Sequence, residues 1–264
     1  MRPPAGADIS APEFPPDREW LGVPFLQMAK LLGTHAALVE FFDFARVNSL
    51  RTLPYLVAWH ERYAEAGLTV IAVHSPGYSF GRDPAVVASA IEALEVPFPV
   101  CLDPDFAVWR LYGNRGWPGR YLFDRRGTLR DLHYGEGEYE ATERTIQELL
   151  LEIDSVLDLP EPLAPLRPED APGALLEPQT ADVVLPRDRD RLELVRDWTD
   201  GEDYIEAADA GGSAEVEYRG GGAWAVLSGV VAPGVYDTGG RVVADSPGVR
   251  LHSFQFLPGP PLDG

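Results

Sequence analysis

The sequence contains one cysteine, Cys101, among 264 residues. A lone cysteine excludes an intramolecular disulfide, a cysteine-built metal centre and intramolecular dithiol chemistry, so nothing in the sequence indicates an oxidising compartment. Cys101 lies in the short apolar run PFPVCLD, residues 97–103. A single cysteine in such a run is typical of a small buried hydrophobic side chain.

Basic residues are also scarce. The chain has 22 lysines and arginines against 42 acidic residues, a formal charge of −20, which repels phosphate backbones and anionic membranes. No stretch approaches the roughly 20 apolar residues of a membrane span, and the N-terminus has no apolar core of signal-peptide length. We therefore expect a soluble cytoplasmic protein with no nucleic-acid partner and no membrane insertion.

Metal and phosphate motifs are missing as well. The 5 histidines have neither HxxxH nor HExxH spacing. The glycine clusters GEG, residues 135–137, and GGG, residues 220–222, lack the sequence context of a phosphate-binding loop and are typical of turns. We expect no metal site and no cofactor.

The feature that organises the chain is a proline-rich stretch, LPEPLAPLRPEDAPG, at residues 159–173. Its repeated prolines forbid a continuous helix or strand and favour a semi-rigid extended linker. The sequence therefore predicts one domain over residues 1–158 and a second over residues 174–264.

Before the proline-rich stretch, strand and helix patterns alternate. AALVEFFDF (36–44) and LTVIAVH (68–74) are apolar strand patterns, and residues 49–66 between them carry apolar side chains at helical spacing. That order predicts a βαβ unit with two parallel strands. GRYLFDRRGTLRDLHYG (119–135) then reads as an antiparallel hairpin, and residues 139–157 as an amphipathic helix. We predict an α/β domain with a central mixed sheet and flanking helices.

After the proline-rich stretch the pattern changes to short alternating runs separated by glycines. In AEVEY, residues 214–218, Val216 and Tyr218 face one way, and Glu215 and Glu217 face the other. The pattern predicts a small all-β sandwich or jelly roll.

Three stretches of the first half are similar to a known family. LVEFFDFARVNSLRTLPYL (38–56) resembles the thioredoxin-like domains of DipZ and TlpA (redoxin) type, whose corresponding stretch has Cys-x-x-Cys just before LRTLPYL. YGNRGWPGRYLFDRRG (112–127) resembles their cis-proline loop and hairpin, and YGEGEYEATERTIQELL (134–150) resembles their closing helix. The resemblance covers residues 11–157 and implies a thioredoxin-like fold.

The same resemblance assigns the positions of a redox site. It places the two cysteines at Arg46 and Ser49, the cis-proline at Pro118 and a buried acid at Glu40. Dithiol chemistry is impossible without the two sulfurs, and a serine hydroxyl without an activating base is a poor nucleophile that cannot form a disulfide. Whether the chain is an enzyme therefore stays open, although the family comprises thiol-disulfide oxidoreductases.

Our leading hypothesis is a non-redox binding or scaffold protein. We expect the former substrate groove to hold a protein or peptide, or an anionic group, because a helix N-terminus beside an arginine favours negative charge. The predicted lining residues are Arg46, Val47, Asn48, Ser49, Trp117 and Pro118. The simpler interpretation is that Arg46 points into water or pairs with Asp43, and that Asn48 or Ser49 caps the helix.

Two further hypotheses remain. One is oxidoreductase activity through Cys101 in a mixed disulfide with a partner thiol. The other is glycan binding, because residues 197–229 and 246–259 resemble the carbohydrate-binding-like sandwich that follows the thioredoxin domain in DipZ-type proteins, in a truncated form. Four aromatic residues could form sugar platforms, although sandwich cores use the same residue types: Trp198, Tyr204, Trp224 and Tyr236.

Overall fold

The computed structural model describes residues 9–260, which form two compact units. The first unit comprises residues 9–43, 48–75 and 91–172. The second comprises residues 44–47, 76–90 and 173–260. This division differs from the expected boundaries in two ways. Two short internal segments group with the C-terminal unit, and residues 159–172 group with the N-terminal unit.

The first unit contains a six-stranded mixed sheet. Its strands are β1 (Trp20–Leu21), β2 (Ala36–Phe42), β3 (Leu68–His74), β4 (Val100–Leu102), β5 (Gly119–Phe123) and β6 (Leu129–Tyr134). They lie in the order β1-β4-β3-β2-β5-β6. The β2–β3 and β3–β4 pairs are parallel and the remaining pairs are antiparallel, as the predicted βαβ unit and hairpin require. The segment APEF (11–14) forms no strand, and only a single bridge joins Ser10 to Thr128 nearby.

The sheet changes from parallel to antiparallel pairing at its central strand β2, which is parallel to β3 and antiparallel to β5. All seven of its residues are buried, which is the pattern of a strand covered on both faces. Its register pairs Val39 with Ile71 on one side and with Tyr121 on the other. The apolar run in the sequence therefore marks the middle of the sheet.

Four helices connect or follow these strands. They are α1 (Val47–Tyr63), α2 (Pro84–Ala93), α3 (Ala107–Tyr112) and α4 (Tyr139–Ile153). The buried stripe of α4 includes Ile146, Leu149 and Leu150, which confirms the predicted amphipathic helix. The helix ends at Ile153, four residues before the predicted end. Within residues 9–260, no helix has both the length and the apolar composition that crossing a bilayer requires.

The proline-rich stretch is anchored to the first unit along its length. Tyr55 of α1 accepts a hydrogen bond from the Leu166 N–H and donates one to Asp170, both at 2.8 Å. The Leu163 N–H donates to the Glu143 carboxylate of α4 at 2.8 Å. Within this stretch Pro168–Asp170 form a short 3-10 helix, and the polar groups of the stretch are fixed to α1 and α4 as they would not be in a free linker.

Residues 173–260 of the second unit form β-sheets and contain no α-helix, as predicted for the C-terminal half of the chain. One sheet has the order β13-β12-β15-β10-β9, with β7 also pairing with β15; the other has the order β14-β11-β8. The strands are β7 (Val183–Val184), β8 (Glu193–Val195), β9 (Trp198–Asp200), β10 (Ile205–Ala207), β11 (Gly212–Glu215), β12 (Gly222–Gly229), β13 (Gly234–Asp237), β14 (Arg241–Ala244) and β15 (Val249–Leu257).

A single apolar core joins the two sheets of this unit. Phe254 of β15 and Ala225 of β12 meet Ala214 of β11 and Val242 of β14 in one buried cluster. Val216 is buried while Glu215 and Glu217 are exposed, so the alternation read from AEVEY is confirmed. The stretch 230–245 contains β13 and β14, which belong to different sheets.

Candidate functional site

The start of α1 is held by a side-chain amide in the second unit. The Val47 N–H, the first of the helix, donates to the Gln255 Oε1 at 2.7 Å, and the Gln255 Nε2 donates to the Ala45 carbonyl at 2.9 Å. Both Val47 and Gln255 are buried. The amide of Gln255 thus pairs with the backbone of residues 45–47 much as a neighbouring peptide group would, and this N–H is not available to an anion.

Arg46 is half-buried and also makes its contacts within the second unit. Its guanidinium carbon lies 5.2 Å from the centre of the Tyr78 ring, the geometry of a cation–π contact. Burial raises the pKa of Asp182, and the positive charge of Arg46 opposes that rise. The Tyr78 hydroxyl in turn lies 2.6 Å from the Ser253 Oγ of β15. Arg46 is therefore packed on an aromatic ring, and its charge favours the ionised form of the half-buried Asp182 carboxyl.

Asn48 and Ser49 lie in the first turn of α1 and not at its N-cap, since the helix begins at Val47. In the first unit, the Asn48 Nδ2 donates to the Trp117 carbonyl at 2.8 Å, and the Asn48 Oδ1 accepts the Ser49 N–H at 2.9 Å. The Ser49 Oγ accepts the Asp43 N–H at 3.4 Å, and Ser49 is only 2% exposed. The structure thus joins Asn48 to Trp117, two of the predicted site residues.

The loop that follows α3 carries Trp117 and Pro118. The peptide bond between them is cis, and Pro118 is buried. The Trp117 Nε1 donates to the Ser75 carbonyl at 2.9 Å, and the Trp117 ring packs against Trp109 with centroids 4.5 Å apart. The indole is therefore fixed at both ends, by a hydrogen bond and by an aromatic contact.

Glu40 is completely buried in β2, and its partner is an arginine. The Arg120 Nε donates to the Glu40 Oε2 at 3.2 Å, and the Arg120 Nη1 donates to the Thr142 Oγ1 at 2.9 Å. The guanidinium also lies 5.2 and 5.3 Å from the rings of Trp59 and Tyr139. Burial raises the pKa of Glu40, and the charge of Arg120 opposes that rise.

Sequence reasoning found Glu40 but missed Arg120 and Gln255. The available signal was a polar residue inside an otherwise apolar strand: Arg120 in GRYLF and Gln255 in HSFQF. Such residues need a buried partner, because a buried polar group without one is costly. The sequence contains no indication of which partner it is.

The first unit is similar to known proteins. Residues 32–132 match the AhpC/TSA family. The first unit has a thioredoxin-like fold. A solved structure titled as a thioredoxin-like protein in the oxidised form matches 55% of this chain and 97% of its own, with 23% identity and a TM-score of 0.50.

Two curated relatives extend the comparison. Protein DipZ of Mycobacterium tuberculosis is 35% identical over 174 residues, which is 65% of this chain and 25% of DipZ. Thiol-disulfide oxidoreductase YkuV of Bacillus subtilis is 24% identical over 143 residues, 54% of this chain and 95% of YkuV. The chain thus spans about a quarter of the length of the DipZ protein that it matches.

The single thiol of this thioredoxin-like chain is inaccessible. Cys101 lies in β4 and is 0% exposed. Burial raises the pKa of its thiol to about 12, with a further contribution from Asp103, so almost no thiolate exists at neutral pH. These properties oppose the hypothesis of a mixed disulfide through Cys101.

The aromatic residues considered as sugar platforms differ in exposure. Trp198 is 4% exposed and belongs to the sandwich core, and Tyr204 is half-buried with its ring near His252 and the Arg250 guanidinium. Trp224 is half-buried, and Tyr236 is 36% exposed. Core packing therefore accounts for Trp198, whereas glycan binding by the others stays a prediction.

A serine, a histidine and an aspartate adjoin one another in the second unit. The Ser228 Oγ lies 2.7 Å from the His252 Nε2, and the His252 Nδ1 lies 3.3 Å from the Asp203 carboxylate and 2.9 Å from its carbonyl. Asp203 also accepts hydrogen bonds from the N–H and hydroxyl of Ser79. Ser228 is only 4% exposed, so the group is a buried polar network that fixes residues 79 and 203 to β15.

Proposed function

We propose that this thioredoxin-like chain is a binding or scaffold protein that carries out no dithiol exchange of its own. The observation that carries the proposal is chemical: the positions that the resemblance assigns to the two cysteines hold Arg46 and Ser49, and the one thiol of the chain is buried in β4. Exchange requires a thiolate that can reach a disulfide sulfur.

The buried acid supports the same proposal. In a redox site a carboxyl near the second thiol serves by exchanging a proton, but Glu40 is paired with Arg120 inside the sheet. Losing one partner of a buried ion pair is strongly destabilising, by about 3 to 5 kcal/mol, so this carboxylate contributes to the core. Its role is then structural.

For the binding role we propose Asn48 and Trp117 of the first unit as the contact residues. Both are half-buried, and a hydrogen bond joins them, so they present a fixed pair of an amide and an indole. Tryptophan is enriched where proteins bind partners. Arg46 and Val47 are assigned structural roles, because Arg46 packs on Tyr78 and Val47 is bonded to Gln255.

The experiment is insulin reduction by the full chain in dithiothreitol, with a dithiol thioredoxin as positive control and the variant C101S as matched control. We expect wild type and C101S to match the rate of dithiothreitol alone. Cys101 should react with a thiol reagent at pH 8 only after denaturant is added. Turnover above background that disappears in C101S would overturn the non-redox assignment.

The binding role has its own readout. Proteins captured by immobilised wild type are compared with those captured by N48A and by R46A. A partner that N48A loses and R46A retains supports the contact residues named here; a partner that both variants retain rules Asn48 out.

A further inference from the structure

The first unit contains a cavity of about 690 Å³ away from the predicted redox-site residues. Residues 9–12, the end of α3 with the loop after it, and the β5–β6 hairpin enclose it. None of the described residues that line it is among the six predicted groove residues. Its volume falls within the roughly 300 to 1,000 Å³ typical of small-molecule sites.

The lining of this cavity is mainly apolar. Phe123, Leu129 and Tyr112 form buried parts of the wall. Ile9 and Leu111, each 48% exposed, also line it. Two large apolar side chains that are exposed to solvent on this unit therefore lie at the same cavity. An occupant with an apolar body would remove that area from water, which is worth about 25 cal/mol per Å².

A small set of polar atoms completes the cavity. The Tyr121 hydroxyl lies 2.9 Å from the Tyr134 hydroxyl and donates to the Asn114 Oδ1 at 3.2 Å. His133 also lines the cavity. Burial lowers its pKa, so at neutral pH the ring is uncharged.

Arg115 supplies the only formal charge among the described lining residues at neutral pH. It is exposed, and no hydrogen bond or ion pair links its guanidinium to another residue between 9 and 260. Burial and the hydrogen bond with Tyr134 raise the pKa of Tyr121, and the charge of Arg115 opposes that rise. Most arginines of this acidic chain pair with a carboxylate, for example Arg51, Arg130 and Arg250.

We propose that this cavity binds a small monocarboxylate with an apolar aliphatic or aromatic body, the carboxylate pairing with Arg115. A planar guanidinium matches a carboxylate through two parallel hydrogen bonds. One arginine neutralises one negative charge, and the described lining offers no second cation for a doubly charged head group. In a chain of net charge −20, a cavity whose described lining bears only a positive charge selects for an anion over a cation.

The test is isothermal titration of the full chain with decanoate, below its micelle concentration, and with decanol as the uncharged probe. We expect one saturable site for decanoate and at least tenfold weaker binding by R115Q. The matched control is R126Q, which makes the same charge change at an exposed residue of the β5–β6 turn that does not line the cavity. Its affinity for decanoate should equal that of wild type.

An affinity for decanoate that R115Q leaves unchanged would overturn the proposal, and a second variant tests the cavity at another lining residue. L111E places a carboxylate at an exposed position of the lining, where the fold tolerates it, and should reduce decanoate binding at least tenfold while circular dichroism stays unchanged. Absence of saturable binding by wild type, equal loss in R115Q and R126Q, or decanol binding as tight as decanoate binding would each overturn the proposal.

Discussion

At the scale of the residue, one side chain, Gln255, forms hydrogen bonds with two backbone groups of a buried segment. Its amide accepts the Val47 N–H and donates to the Ala45 carbonyl. Leaving a buried donor or acceptor unsatisfied costs about 1 to 3 kcal/mol for each group. The residue thus stabilises the segment 44–47 within the second unit.

The substitution Q255A should therefore lower the free energy of unfolding by about 2 to 4 kcal/mol, since it removes two buried hydrogen bonds and takes this acceptor away from the Val47 N–H. Urea unfolding followed by tryptophan fluorescence measures it. The control Q179A removes the same amide at an exposed position of the second unit and should stay within about 0.5 kcal/mol of wild type. Equal effects of the two substitutions would show that the Gln255 amide contributes nothing specific.

At the scale of the element, hydrogen bonds with residues of α1 hold the proline-rich stretch in place. Arg167 forms an ion pair with Asp170 at 2.9 Å and donates to the Arg51 carbonyl. Tyr55 bonds the same stretch at Leu166 and Asp170, while its ring stacks on Tyr139 at 3.7 Å. One tyrosine hydroxyl therefore joins α1 to two points of residues 159–172.

Y55F should keep the ring stack and release the stretch locally. We expect a loss of about 1 to 2 kcal/mol, the cost of two hydrogen bonds at one hydroxyl, and faster thermolysin cleavage before Leu163 or Leu166. Y236F serves as the control, because the Tyr236 hydroxyl bonds to Ala232 at an exposed position. Unchanged cleavage in Y55F would contradict the anchoring role of that hydroxyl.

At the scale of the whole molecule, the chain is rich in acidic residues. The change of its folding stability with pH therefore depends on which carboxyls have a different pKa in the folded and the unfolded chain. Burial alone would raise the pKa of Asp203, but hydrogen bonds from His252 and Ser79 outweigh it and hold the pKa below its ordinary value of 3.8. The unfolded chain then binds a proton at a higher pH than the folded chain does. Stability from Asp203 is therefore present above about pH 4 and is lost as the pH falls through the lower folded pKa.

D203N should be less stable than wild type at pH 7 and should lose less stability between pH 5 and pH 3. Thermal unfolding across that range measures both differences. D209N, a change at an exposed carboxylate of the same unit, provides the baseline slope. A D203N profile parallel to the wild-type profile would show that Asp203 carries no such linkage.

Local pattern was enough to predict much of the first unit. The apolar run of β2, broken only by Glu40, the stripe of α4 and the glycine-containing hairpin of β5 and β6 each follow the period of one element, which neighbouring residues set by themselves. The absence of sulfur at residues 46 and 49 was likewise legible without a structure, because it concerns which atoms are present.

Only the tertiary structure decided which residues meet. Glu40 and Arg120 stand 80 positions apart, and Val47 and Gln255 stand 208 apart. Prolines showed that residues 159–173 could form no continuous helix or strand, but not that Tyr55 and Glu143 would hold them. A buried polar group needs a hydrogen-bond or ion-pair partner, and the sequence contains many residues that could serve as one. The choice among them is made by the packing of the whole chain, which no local period encodes.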